Sequence, residues 1–208
     1  MTNGTIITPR VRDPDLSIPG EAQSGAKPHL PGDPAVWLFV IGDMVIFSCY
    51  FAAYMFDRGQ NHVLFIESQQ HLSQNIGVIN TLILLTSSLF VALSVQAARV
   101  GDFGVASRLL TFGFACGAGF VLLKSFEWAL KISGGFTISS NAFFMHYYMI
   151  TGLHFFHVLL GLVFLTMLRH ELRGKTAPRV QFLEVGATYW HMVDFLWIII
   201  FALAYLMR

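Results

Sequence analysis

Asp43, His154, His157, His191 and Asp194 are side chains able to bind metals or move protons, yet each lies inside a run of residues otherwise suited to lipid. Their types allow three kinds of chemistry. Imidazole ligates haem iron and zinc, and His154 and His157, at i and i+3, share one face of a helix. A zinc site needs three or four ligands, however, so H-x-x-H alone specifies little. Carboxylates buried in a membrane can instead take up and release protons, or hold a lipid. The third possibility needs no cofactor: interhelical hydrogen bonds, worth about 0.6 to 2 kcal/mol each in a membrane, would simply hold helices together. Residue type leaves all three open.

The elements that carry these residues follow from composition. Of 208 residues, 55% are hydrophobic and 12% charged, against about 25% charged in soluble domains, so the chain reads as an integral membrane protein. Its 13 basic and 12 acidic residues nearly cancel, which removes the basic surface that nucleic acid requires. Cys49 and Cys116 lie far apart, outside any C-x-x-C pattern, and read as small core residues. Five apolar runs, near 34–56, 76–98, 105–130, 140–168 and 181–206, each reach the ~20 residues that span a bilayer. An all-α bundle of five transmembrane helices over 34–208 is the expected fold, preceded by a flexible, solvated tail over 1–33. Within "PGDP", Asp33 before Pro34 suggests an N-cap with proline in the first turn. No Walker loop, G-x-S-x-G or H-E-x-x-H motif occurs, so a self-sufficient enzyme is not expected.

Five spans put the tail and the second and fourth links on one side. That side holds Arg99, Arg108, Arg169, Arg173, Lys175 and Arg179 besides the tail, while the other holds Arg58, Lys131 and Arg208. The positive-inside rule then predicts a cytoplasmic N-terminus and a periplasmic C-terminus. Converting position to depth sorts the polar residues into two layers. Lys124, Glu127 and His146 fall in the outer leaflet, where Lys124 and Glu127, one turn apart, could pair. Asp43, His154, His157, His191 and Asp194 fall near mid-membrane, where they could form one buried network. "GFACGAGF", containing Gly113 and Gly117, has the small-residue spacing that lets helices approach closely.

Three runs, in order along the chain, resemble subunit III of the haem-copper respiratory oxidases. "GDMVIFSCYFAAY" is similar to the family's helix in which an acid precedes an aromatic run. "GFVLLKSFEWALKISGGFTISSNAFFMHYYMITGLHFFHVLLGLVFL" is similar to its Glu-aromatic stretch, turn and T-G-x-H-x-x-H helix. "YWHMVDFLWIIIFALAYL" looks like its closing Tyr-Trp-His-x-x-Asp-x-x-Trp signature. Five spans resemble the short bacterial form, Asp43 stands where cytochrome c oxidase members usually carry Glu, and "HLPGDPAVWLFVIGDM" with "NTLILLTSSLFVAL" looks most like the subgroup associated with nitric oxide reductases.

The resemblance implies an accessory subunit of the bacterial inner membrane with no haem, copper or other metal of its own. It implies a partner catalytic subunit that carries haem and copper or iron, bound phospholipid, and support of proton uptake. Asp43 would take the place of the buried acid, and Glu127, His154, His157, His191 and Asp194 the polar positions of the motif helices. The acceptor (O₂ or NO) and the donor (cytochrome c or quinol) stay open. So do two other classes: a small b-type haem protein that transfers electrons through His154, His157 and His191, and a proton-coupled carrier.

Overall fold

The structure, a computed structural model, describes residues 34–174 and 179–207. The expected tail over 1–33, the Asp33 cap and part of the last charged link lie outside those residues. Six α-helices run in order: α1 (Pro34–Gln60), α2 (His62–Gln70), α3 (Gln74–Arg99), α4 (Phe103–Ser133), α5 (Ala142–Gly174) and α6 (Val180–Phe201). A π-helical segment, Ala202–Leu206, continues α6. Five of these helices are long and apolar enough to cross a membrane, and no strand occurs among the described residues. The fold is therefore the all-α, five-span bundle that the apolar runs predict.

Short links are set by local chemistry. Gly101, at φ +85°, makes the left-handed turn that ends α3. Asp102 then caps α4, its Oδ1 accepting from the Val105 amide at 3.0 Å. Gly135, at φ +84°, opens the loop after α4. On the far side of that loop Asn141 caps α5, accepting from the Phe144 amide at 2.9 Å and donating to Ser68 Oγ at 2.9 Å.

Charged groups face inward, while apolar side chains both fill the core and cover the outer face, because lipid accepts apolar side chains no less than the core does. Leu122 and Phe156, for example, project from the bundle, while Lys124 and Glu127 are buried. Helix α6 is axial: 61% of its most apolar 18-residue stretch is buried, against 17% for that of α1. It packs on α3, α5 and α1, while α3 and α4 form a tight hairpin and α1 packs chiefly on α5, α6 and α2.

Glycines let α6 in. Trp190 is fully buried between α4 and α5, and a Cβ added at Gly117 or at Gly161 would stand 2.7 Å from its ring. Gly113 does the same for α3, with Val91 at 3.0 Å and Ser87 donating across the seam to the Gly113 carbonyl at 2.7 Å. The small residues of "GFACGAGF" thus serve close packing within this chain.

One element departs from the sequence reading. Residues 57–75, expected as a plain link, contain the nine-residue α2. Its pattern is too short and too polar to register as a span, yet it buries Phe65, Ser68 and Gln69 against the bundle end.

Candidate functional site

The polar layer nearest α2 is built on Lys124 and Glu127, one turn apart on α4 and both 1% exposed. Lys124 Nζ donates to Glu127 Oε2 at 3.0 Å, to the Tyr147 hydroxyl at 2.9 Å and to the Tyr205 hydroxyl at 2.8 Å. Both tyrosines in turn donate to Glu127 Oε1, at 3.1 and 2.6 Å. All three ammonium protons and both hydroxyl protons are thereby used. A charged pair with its donors satisfied in this way tolerates burial, which an unpaired charge does not. The quartet joins α4, α5 and the π-helical end of the chain, and it has no spare donor with which to pass a proton on.

Around it, side chains from α1–α3 satisfy the carbonyls of the last turns. Arg58 donates to the Met207 carbonyl at 2.6 Å, Tyr54 to that of Leu203 at 3.1 Å, Gln69 to those of Leu203 and Ala204 at 3.2 Å each, and Gln74 to that of Tyr205 at 2.9 Å. A helix end leaves carbonyls without intrahelical partners, and here buried amides and a guanidinium replace water. His146, also expected in this layer, meets Asp57 instead, Nε2 to Oδ2 at 2.6 Å, and ties α5 to α1.

At mid-membrane Asp43 of α1 faces His157 of α5, Oδ2 to Nε2 at 3.1 Å. The carboxylate oxygen lies off the line of the ring N–H and has no aligned donor. His157 Nδ1 donates to the Leu153 carbonyl at 2.8 Å, which fixes a proton on that nitrogen. Tyr189 of α6 donates to the His157 carbonyl at 3.2 Å and closes the junction of three helices.

The other mid-membrane residues stand apart from this pair. His154 is fully buried with neither ring nitrogen hydrogen-bonded, and it packs as a flat ring between Phe120 and Trp197, centroids 5.8 and 5.3 Å away. His191 Nδ1 lies 2.6 Å from Ser88 Oγ on α3, and Asp194, three residues further along α6, is buried with its Oδ1 unpartnered. The five groups thus separate into the Asp43–His157 pair, the isolated His154 ring, His191 on Ser88, and Asp194, and they do not join in the one network that their depth allowed. Depth placed them at one level, but the rotation of each helix points them to different neighbours. Among the described residues no three His, Cys, Asp or Glu side chains converge as a metal would require.

Several participants were not visible in the sequence. Nothing in the sequence sets Tyr147, Tyr205 or Ser88 apart from other bundle residues, although Tyr147 and Tyr205 complete the Lys124–Glu127 quartet and Ser88 meets His191. Asn80 is fully buried with neither amide atom paired, a signal the sequence carried only as one polar residue near the start of the second span.

Between α1, α5 and α6 lies an open apolar cleft of about 410 Å³, lined by Phe39, Leu160, Phe164, Phe182, Val185 and Tyr189 among others.

Comparison with known sequences follows this geometry closely. The family described as cytochrome c oxidase subunit III matches residues 33–207, the whole helical domain. The cytochrome c oxidase subunit 3 of Bacillus subtilis (strain 168) is 33% identical over 177 residues, 82% of this chain and 84% of that one. The cytochrome bo(3) ubiquinol oxidase subunit 3 of Pseudomonas aeruginosa is 31% identical over 174 residues, 82% of each chain. A heme-copper oxidase subunit I+III of Aeropyrum pernix is 28% identical over 199 residues, 91% of this chain but 24% of that much longer one.

Proposed function

The chain belongs to the cytochrome c oxidase subunit III family, multi-pass membrane proteins that are accessory subunits of haem-copper oxidases, and from that premise we propose what it does beside its partner: it prolongs the working life of the catalytic subunit, holds phospholipid and supports proton uptake. The observation that carries this reading is the family match over residues 33–207 on a bundle whose buried polar groups mostly bind one another.

The proposed partner is the catalytic subunit, which would carry the haem and the copper or iron. In favour of it, the Aeropyrum relative is by name subunit I+III, so a chain like this one is joined there to a subunit I. The proposed site is the bacterial inner membrane, with the N-terminus cytoplasmic. Support comes from the bacterial relatives and the excess of Arg and Lys on the second and fourth links.

Phospholipid is assigned to the cleft between α1, α5 and α6, whose apolar lining suits acyl chains and offers little to a polar ligand. Proton support is assigned to Asp43 and His157, which face each other at 3.1 Å where α1 meets α5. The motifs that resemble the nitric-oxide-reductase-associated subgroup keep NO beside O₂ as the acceptor, and the relatives' names keep both cytochrome c and quinol as donors.

Stripping this chain from the assembled oxidase with detergent tests the reading. The expected result is an unchanged haem spectrum with turnover that decays sooner and recovers when the chain is added back. A stripped enzyme that keeps both its rate and its lifetime would contradict it.

A further inference from the structure

The apolar cleft ends where the Asp43–His157 pair begins. Its lining comes from the first turns of α1 and α6 and the second half of α5, so it lies in the half of the bundle next to the α5–α6 link. Along α5 it runs from Leu168 to Leu160, about 12 Å at ~1.5 Å per residue, close to the ~15 Å depth of one leaflet. An acyl chain of that leaflet therefore reaches the inner end. There His157 follows Leu160 on α5, and Asp43 follows Phe39 on α1, by about one turn in each case.

Tyr189 of α6 stands between the two. Its ring lines the cleft, with the Phe39 and Phe164 centroids 6.2 and 5.2 Å away, and its hydroxyl donates to the His157 carbonyl at 3.2 Å. Toward α2 the pair is closed by Phe47, fully buried and edge-on to the His157 ring at 5.5 Å, and outward His157 meets Phe156, which is 56% exposed to hydrocarbon. Water from the nearer membrane face therefore has its course through the cleft, past Tyr189. Asp43 is 9% exposed and its Oδ2 has no aligned donor. A carboxylate kept dry in this way is costly, so its state depends on whether water reaches it.

We propose that the Tyr189 ring is a gate worked by lipid. An acyl chain in the cleft holds the ring over the Asp43–His157 pair and keeps the pair dry. When the chain leaves, the ring moves out into the cleft, whose volume of about 410 Å³ has room for a phenol, and water reaches Asp43 from the cytoplasmic side. The proposal rests on the assignment of phospholipid to this cleft and of the α5–α6 link to the cytoplasm. It joins two roles that otherwise stand side by side: occupancy of the lipid site sets the access of protons to the acid. The ring does the gating, because apolar contacts hold it in place while the hydroxyl makes a single hydrogen bond.

The test is hydroxyl-radical footprinting of the full chain in its complex, depleted of lipid by phospholipase treatment and then resupplied with dioleoyl phosphatidylglycerol. Oxidation of His157 reports water at the pair, and His146, on the same helix and as deeply buried but away from the cleft, is the internal control. Depletion should raise His157 oxidation several-fold and resupply should reverse it, with little change at His146. Y189L should leave His157 oxidised in both states, while Y189F, which keeps the ring, should follow the parent. V185W, which fills the cleft from α6, should keep His157 protected even after depletion. A parallel sample with a photoreactive acyl chain on the phosphatidylglycerol shows whether lipid enters the cleft. Labelling of the cleft with His157 oxidation indifferent to lipid would overturn the gate and leave the lipid assignment in place. Equal rises at His157 and His146, a Y189L chain that responds as the parent does, or a V185W chain that oxidises like the depleted parent would also overturn the gate. Absence of labelling in the cleft would instead overturn the lipid assignment, and the gate with it.

Discussion

Asp43 Oδ2 on α1 and His157 Nε2 on α5 stand 3.1 Å apart at mid-membrane, with the second imidazole nitrogen bound to the Leu153 carbonyl. Helix α1 has few other inward polar contacts there, since most of its surface faces outward. The pair therefore sits where the least-packed helix meets the bundle.

Removing the acid is predicted to spare the partner's cofactor and shorten its life. D43A should leave the haem spectrum of the complex intact while turnover decays faster than in the parent, and D43E should restore the lifetime. Loss of haem from the D43A complex would show that Asp43 serves assembly instead.

The Lys124–Glu127 pair predicts non-additive stability. K124M leaves the Glu127 carboxylate buried without its cation, a cost of about 3 to 5 kcal/mol for a broken buried pair. K124M/E127L removes both charges and should melt above K124M in detergent. Equal or additive losses would mean that the quartet does not act as a unit.

Trp190 predicts which glycines matter. G161A and G117A force a Cβ to within 2.7 Å of the fully buried indole and should cost about 1 to 3 kcal/mol. Nothing lies within 4 Å of a Cβ at Gly119, so G119A should be neutral or gain up to ~1 kcal/mol from helix propensity. Thermal melts of the three variants decide this, and equal effects would place Trp190 elsewhere.

Carbonyl caps from α1 and α2 hold the π-helical end. Q69L removes donors to the Leu203 and Ala204 carbonyls, so amide hydrogen exchange over 202–207 should quicken several-fold while α3 is unaffected. Unchanged exchange would show that the segment holds its shape without these caps.

The spans were legible because bilayer thickness demands long apolar runs, and nothing else in the chain imitates them. Glu127 and its partner Lys124 were legible too, since i and i+3 on one helix are neighbours in any fold. What depth cannot supply is azimuth. His154 and His191 lie at one level, but α5 turns the first onto Phe120 and Trp197 while α6 turns the second onto Ser88. That rotation is decided by where Trp190 fits against Gly117 and Gly161, a packing fact with no local signature. Helix α2 escaped for a different reason: nine residues with two glutamines read as a link until Gln69 is seen to bind carbonyls from the other end of the chain.

The accessory role is tested most directly by mild-detergent capture of the tagged chain, with absorption spectra taken of the captured complex and of this chain separated from it. The account predicts haem bands in the complex that remain with the partner, and a separated chain without a Soret band. A Soret band with split α/β bands in the separated chain, lost in H191A, would contradict it.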